Sequence, residues 1–172
     1  MSLRIRNWFP WPRFLMVPLV LLTARRIAVN GWSMYPCLAP GEKVLFDRLA
    51  YWSRPPQRGD VVLADPPQGP GPWIKRVVGL PGETVTIRDG MVAVDGRVLE
   101  EPYVEAQGDP SQDGTWKLGP GQYFLLGDNR QASTDSRQVG PLPREAIRAR
   151  AWLVYWPQER QRRVVHHRYS HR

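Results

Sequence analysis

Along most of the chain, short apolar runs alternate with clusters of turn-forming residues. Runs at 44–47, 61–64, 73–80, 84–88, 91–94, 97–99, 123–126 and 151–156 have the length and β-branched or aromatic content expected of strands. Asp89-Gly90 separates two of them and Asp95-Gly96 the next two, each a two-residue hairpin signal. Residues 54–60 form a turn into the second run. Residues 65–72 hold four prolines and two glycines and are expected to be loop, as are the polar, Gly-rich residues 105–121. One helical turn is expected at 143–147. The pattern predicts a mostly β body with coiled sheets, little helix and no internal repeat.

The N-terminus reads differently. Phe14-Leu15-Met16-Val17-Pro18-Leu19-Val20-Leu21-Leu22 is continuously apolar and follows Trp8, Phe9 and Trp11. As a helix this run spans roughly 14 Å, against about 30 Å of bilayer hydrocarbon. Extension from Trp8 to Ala24 brings in Arg13 and three prolines. The segment fits a short tilted anchor with Arg13 snorkelling, an interfacial segment, or a cleaved signal peptide ending near Leu22-Thr23-Ala24. A buried core helix is the remaining reading. Membrane attachment is the expectation, with orientation left open because arginines flank both sides.

Charge changes the picture by its position. The net charge is +8 over 172 residues. Residues 1–26 contribute +5 through Arg4, Arg6, Arg13, Arg25 and Arg26, and residues 157–172 contribute +4. Residues 27–156 are therefore nearly neutral, at −1. A nucleic-acid-binding domain would carry a basic face on the body, so nucleic acid is not an expected partner. Basic ends flanking an apolar segment suit an anionic membrane surface, and the tail is expected to be disordered. Cys37 is the only cysteine, so no intrachain disulfide forms. The three histidines, His166, His167 and His171, all lie in the tail. The body thus offers neither a Ser-His-Asp triad nor a zinc site, and no metal or cofactor is expected.

With no histidine in the body, a serine nucleophile needs another base. Ser33 sits in Gly31-Trp32-Ser33-Met34-Tyr35-Pro36-Cys37-Leu38, between a glycine and a proline turn. The chain has 21 arginines and 3 lysines, so a lysine stands where arginine is the habitual choice. Arginine stays charged and cannot accept a proton, whereas burial can lower a lysine pKa by several units. Lys75, between Ile74 and Val77-Val78, has the most apolar surroundings of Lys43, Lys75 and Lys117. Strand alternation places it on one face with Trp73 and Val77. Taken alone, Lys75 reads equally well as a lysine snorkelling from a strand edge, and Ser33 as a serine bonding locally in a turn.

The motifs together resemble a family. Ser33-Met34-Tyr35-Pro36-Cys37-Leu38 resembles the serine box of bacterial type I signal peptidases, and Arg58-Gly59-Asp60-Val61-Val62 their second box. Lys75-Arg76-Val77-Val78-Gly79-Leu80-Pro81-Gly82-Glu83 resembles the lysine box. Gly127-Asp128-Asn129-Arg130, with Ser133, Asp135-Ser136-Arg137 and Gly140-Pro141, resembles the last. Four boxes occur in order between residues 29 and 141.

The resemblance implies a LexA-like fold of coiled antiparallel β-sheets at 27–156, with a small accessory β region at about 80–120 and an anchor at 1–26. It implies an endopeptidase that removes signal peptides from exported preproteins. Ser33 would be the nucleophile, Lys75 the general base and Ser133 the hydroxyl that holds the amine. Asp135 and Arg137 would be a supporting ion pair, and Val29, Ile74 and Leu38 would line the substrate pockets. Family members use a hydroxyl two residues before the nucleophile as an oxyanion donor, and here that residue is Gly31. Cys37 replaces the usual threonine and reads as a packing residue.

The implied setting is the extracytoplasmic side of a bacterial cell membrane, with a monomer held by a single-pass anchor. Preproteins and lipids are the expected partners and the secretion translocon a further candidate. Trp32, Trp52 and Trp73 are candidates for an aromatic surface resting on the bilayer, or else for ordinary core. Two other readings compete. A self-cleaving repressor protease also pairs serine with lysine, but residues 1–28 are too short and apolar for its DNA-binding domain. A tethered β-barrel binding module would need no catalysis.

Overall fold

The computed structural model describes residues 22–169 except 68, 70, 106 and 107. Most of the proposed anchor at 1–26 therefore lies outside the described residues. Among those described, no helix is long and apolar enough to cross a membrane.

Among the described residues, twelve strands form two antiparallel sheets. In the larger, β1 (Arg25–Ala28), β2 (Lys43–Asp47), β11 (Ile147–Trp156), β3 (Val61–Ala64), β4 (Trp73–Gly79), β9 (Gln122–Leu126) and β10 (Leu142–Pro143) lie side by side in that order. β12 (Arg162–Arg163) pairs with β11. The smaller sheet runs β7 (Arg97–Val98), β6 (Met91–Val94), β5 (Thr84–Arg88), β8 (Gly114–Lys117). A single helical turn, α1 (Ser136–Val139), follows β9.

The large sheet curls because β11 serves two neighbours. Its first residues pair with β3 and its later ones with β2, with register shifts along both edges. Irregularities of this kind bend a strand and increase its twist. β3 is covered on both faces, Val61 and Leu63 packing into one cluster and Val62 and Ala64 into another. That is why its sequence is a continuous apolar run and does not alternate. A third cluster joins the two sheets, with Val78, Phe124 and Leu126 meeting Val85, Ile87, Val92 and Val94. Gly79 sits at that junction, where a Cβ would press on Val85, Phe124 and Leu118.

Four expectations are corrected. Residues 114–117 were read as loop and form β8, because Trp116 packs inward on Phe124 with ring centroids 4.8 Å apart. The last long strand begins at Ile147, four residues earlier than expected, since Ile147, Ala149 and Ala151 are buried, while Arg148 is exposed and Arg150 pairs with the buried Asp60 at 2.8 Å. Arg25 and Arg26 belong to β1, paired with Phe46 and Leu45. The tail is not a disordered extension through Tyr169. Val164 is buried in the first core cluster, and the His166 ring accepts a hydrogen bond from Val61 N at 3.0 Å.

Candidate active site

Ser33 follows β1 on a tight turn that its neighbours pin to the core. Leu38 N donates to Met34 O at 2.8 Å and Tyr35 N to Trp32 O at 3.1 Å. Met34 and Leu38 are both buried in the first cluster, which leaves the half-buried Ser33 side chain at the surface of the turn. From the other side, Asn129 N donates to Ser33 O at 3.1 Å.

Lys75 comes from β4, where it pairs with Val62. Its Nζ lies 2.9 Å from Ser33 Oγ and hydrogen bonds to it, and it stands 5.6 Å from the Trp73 ring centroid. The residue is only 4% exposed. Desolvation lowers its pKa from 10.5 to about 8; the Asp135 and Asp128 carboxylates oppose that shift, and the Arg137 guanidinium adds to it. The serine and lysine predicted from sequence are therefore in contact, and the amine loses its proton far more readily than an ordinary lysine does.

The other predicted residues divide. Asp135 and Arg137 form the expected ion pair at 2.8 Å, with both side chains buried. Asp135 also accepts from Gly127 N at 3.0 Å and caps α1, with Arg137 N as donor and Gln138 completing the capping box. The Ser133 hydroxyl donates to Asp135 Oδ2 at 2.7 Å. Gly127 runs between the two halves of the site, where a Cβ would overlap Ser133 Oγ and the Ser33 carbonyl.

A cleft of about 470 Å³ opens beside the dyad, and Val29 and Ile74 form walls of it together with Ile27, Met34 and Trp73. Leu38 does not line this cleft. It is fully buried, its side chain consumed in anchoring the serine turn, which corrects its assignment as a pocket residue. Beside Gly31 there is open space, with no heavy atom within 4 Å of a built Cβ. Cys37 is half-buried against the first cluster, and burial, reinforced by Asp128, raises its thiol pKa; that suits packing and not nucleophilic attack. Of the three tryptophans, Trp32 and Trp52 are exposed, Trp52 to 86%, while Trp73 packs on the second cluster.

Sequence reasoning assigned no role to Arg76 or Asp128. Arg76 Nε and Nη2 reach the two Asp128 oxygens at 2.8 and 2.6 Å, fully buried. One signal was available: an arginine directly follows the lysine, and an aspartate opens the last motif. Among the described residues, no group of three or more His, Cys, Asp or Glu side chains is placed to hold a metal.

Comparison with known proteins places this geometry. The family profile described as signal peptidase, peptidase S26, matches residues 9–156. A signal peptidase I of Leptolyngbya laminosa is 38% identical over 136 residues, which are 74% of this chain and 66% of that protein. A probable signal peptidase I-2 of Synechocystis sp. is 36% identical, over 73% of this chain and 60% of the relative. The chain thus spans slightly less than two thirds of the length of these two relatives. A signal peptidase I from Bacillus licheniformis is 29% identical over 87% of this chain and 89% of its own length. The crystal structure of a signal peptidase I from Enterococcus faecalis superposes with a TM-score of 0.50 at 32% identity, covering 56% of this chain and 97% of that one.

Proposed function

The chain belongs to the signal peptidase family, peptidase S26, and on that premise we propose that it cleaves signal peptides from exported preproteins with Ser33 as nucleophile and Lys75 as general base. The observation that carries this reading is the 2.9 Å contact between a nearly dry amine and a hydroxyl at the edge of an open cleft. With a pKa of about 8, roughly a tenth of the amine is neutral at pH 7, against a few in ten thousand for an ordinary lysine.

A neutral Lys75 accepts the Ser33 proton as Oγ attacks the scissile carbonyl. The tetrahedral intermediate then collapses, the C–N bond breaks, and the lysine ammonium protonates the departing amine. Water next attacks the acyl-enzyme while Lys75 takes its proton, and as the Ser33 C–O bond breaks Lys75 returns that proton to Oγ, restoring the hydroxyl and the neutral amine. The Ser33 N–H is one oxyanion donor. Gly31 supplies no hydroxyl, and the space beside it is open. Asp135 and Arg137 hold Ser133 and Gly127 in place and do not enter the chemistry. Ser133, whose hydroxyl donates to Asp135, is the hydroxyl that would turn to hold the Lys75 amine in place.

Substrate binds as an extended strand beside β1, with residues before the cut facing Val29 and Ile74. Those walls favour small side chains by excluding large ones. The segment read as an anchor at 1–26, less Arg25 and Arg26, which belong to β1, holds the chain in the cell membrane with the β body on the extracytoplasmic side. Preproteins and lipids are the partners, the translocon supplies the substrate, and the enzyme acts as a monomer.

The test uses a preprotein with an Ala-x-Ala site and the Ser33→Ala, Lys75→Ala and Lys75→Arg variants. Each variant is expected to lose at least about a hundred-fold in cleavage rate. Lys75→Arg is the most telling, because it keeps charge and length but cannot become neutral. Equal cutting by all three would end the protease reading.

A further inference from the structure

The family match stops at residue 156, yet the chain beyond it folds back onto the catalytic body. β12 pairs with β11, Val164 N donates to Trp152 O at 3.1 Å, and the next five residues run directly behind the active site. Gly59 makes this approach possible, because a Cβ there would overlap the His167 carbonyl.

Two contacts connect this run to the dyad. Arg76, the residue after Lys75, uses Nη1 to donate to Gly59 O at 2.9 Å and to Val165 O at 3.2 Å, while Nε and Nη2 hold Asp128. The second contact is through Tyr103, whose ring stands 4.1 Å from the Arg76 guanidinium carbon. The Tyr103 hydroxyl bonds to the Tyr169 hydroxyl and donates to Glu101 at 2.7 Å. His167 packs edge-on against both tyrosine rings. Glu101 accepts from Arg130 at 2.6 Å, and Arg130 Nε donates to Gly127 O at 3.0 Å. Gly127, Asp128 and Asn129 form the segment whose last residue holds the Ser33 carbonyl. The tail therefore braces both the strand that carries the base and the loop that holds the nucleophile.

From this geometry we infer that residues 165–169 position the dyad, Val165 acting through Arg76 and Tyr169 through Tyr103, so that Ser33 and Lys75 stay within hydrogen-bond reach. Such a brace acts on the chemical step, since small misplacements of a nucleophile cost rate steeply while leaving a distant cleft intact. A tail that merely covers core would alter stability and leave the kinetics alone. The inference rests on the Ser33–Lys75 reading above.

Its test compares the full chain with Tyr169→Ala and Tyr169→Phe, measuring kcat, KM, the pH dependence of kcat/KM, and Tm. In Tyr169→Ala the expected result is a fall in kcat of roughly ten-fold. KM should stay within two-fold, and the rising limb of the pH profile should move to higher pH as water reaches Lys75. Tyr169→Phe keeps the ring against His167 and loses only the hydroxyl pair, so its kcat should fall between the two; it also carries the comparison should the alanine variant not fold. A kcat within two-fold of the parent and an unmoved limb overturn the inference, whatever happens to Tm. Failure of the underlying reading looks different: the parent chain itself would cleave no better than Ser33→Ala, and the inference would fall with it.

Discussion

At the scale of single residues, the site depends on what is missing from it: water around Lys75 and side-chain atoms at Gly127. Lys75 would be an ordinary surface cation without Trp73, Val62 and Val77 around its strand, and burial is the main cause that brings its pKa down to about 8. Gly127 gives a sharper test of packing. In Gly127→Ala the new methyl group must displace Ser133 or the Ser33 carbonyl. The substitution is expected to cut kcat about a hundred-fold while circular dichroism still reports a folded β protein; a fully active alanine variant would show that the two halves of the site are not held together at this point. Sequence offered Ser33 and Lys75 as candidates because the chemistry needs a base that can be neutral and arginine is otherwise the habitual cation of this chain, but only the four family motifs separated that reading from a snorkelling lysine and a locally bonded serine. Asp135 and Arg137 were legible only through the family motif. Leu38 was misplaced because a motif residue next to a nucleophile can serve the turn and never face the substrate.

At the scale of elements, what sequence missed shares one cause. The first half of β11 alternates arginine with isoleucine and alanine, which lowers its apolar content while keeping the period of two that a half-buried strand needs. β8 offers Trp116 as its one large apolar residue, and the strand it pairs with, β5, lies about thirty residues earlier in the chain. The tail reads as a solvated charge run, yet one of its arginines pairs with a residue far away in sequence: Arg162 holds Glu42 at 2.8 and 2.9 Å. His166 is the most consequential case. Its Nδ1 accepts from Val61 N, which leaves Nε2 to donate to Ala151 O at 2.9 Å, so the ring must be neutral. Burial first, and then Arg150, depress its pKa to about 4 from 6.5, against an opposing pull from Asp60. The unfolded chain therefore binds a proton that the folded chain refuses between those two values, and stability should fall as pH drops from about 6.5 toward 4. Melting curves across that window should show a steeper acid loss for the parent than for His166→Gln; identical slopes would contradict the assignment.

For the whole molecule, the two basic ends converge on different tasks. Toward the C-terminal end Arg162, His166 and His167 are drawn into the fold, whereas Arg25 and Arg26 remain exposed at the start of the β body. Arg48 and Arg148 flank the same region, and Trp52 projects beside them into solvent. A ring of cations around an indole suits an anionic bilayer surface. With a chain lacking residues 1–21, Trp52→Ala is expected to weaken binding to phosphatidylglycerol vesicles about five-fold, the order expected for removing part of one aromatic side chain from an apolar phase. Unchanged vesicle binding would leave Trp52 as a solvent-facing residue with no lipid role. The sheet framework itself was largely legible, because hairpin turns and apolar runs are local signals. The neighbour order, with the late β11 inserted between β2 and β3, depends on contacts that no local pattern encodes.

The central claim is that a sheltered, neutral Lys75 amine takes the Ser33 proton, and the pH dependence of kcat/KM tests it most directly. Below the lysine pKa the amine is protonated and cannot act as base. The rate should therefore climb about ten-fold per pH unit up to about 8 and level off above it, with Lys75→Arg inactive throughout. A profile flat across that range, or one rising instead through the ordinary histidine value near 6.5, would contradict the account.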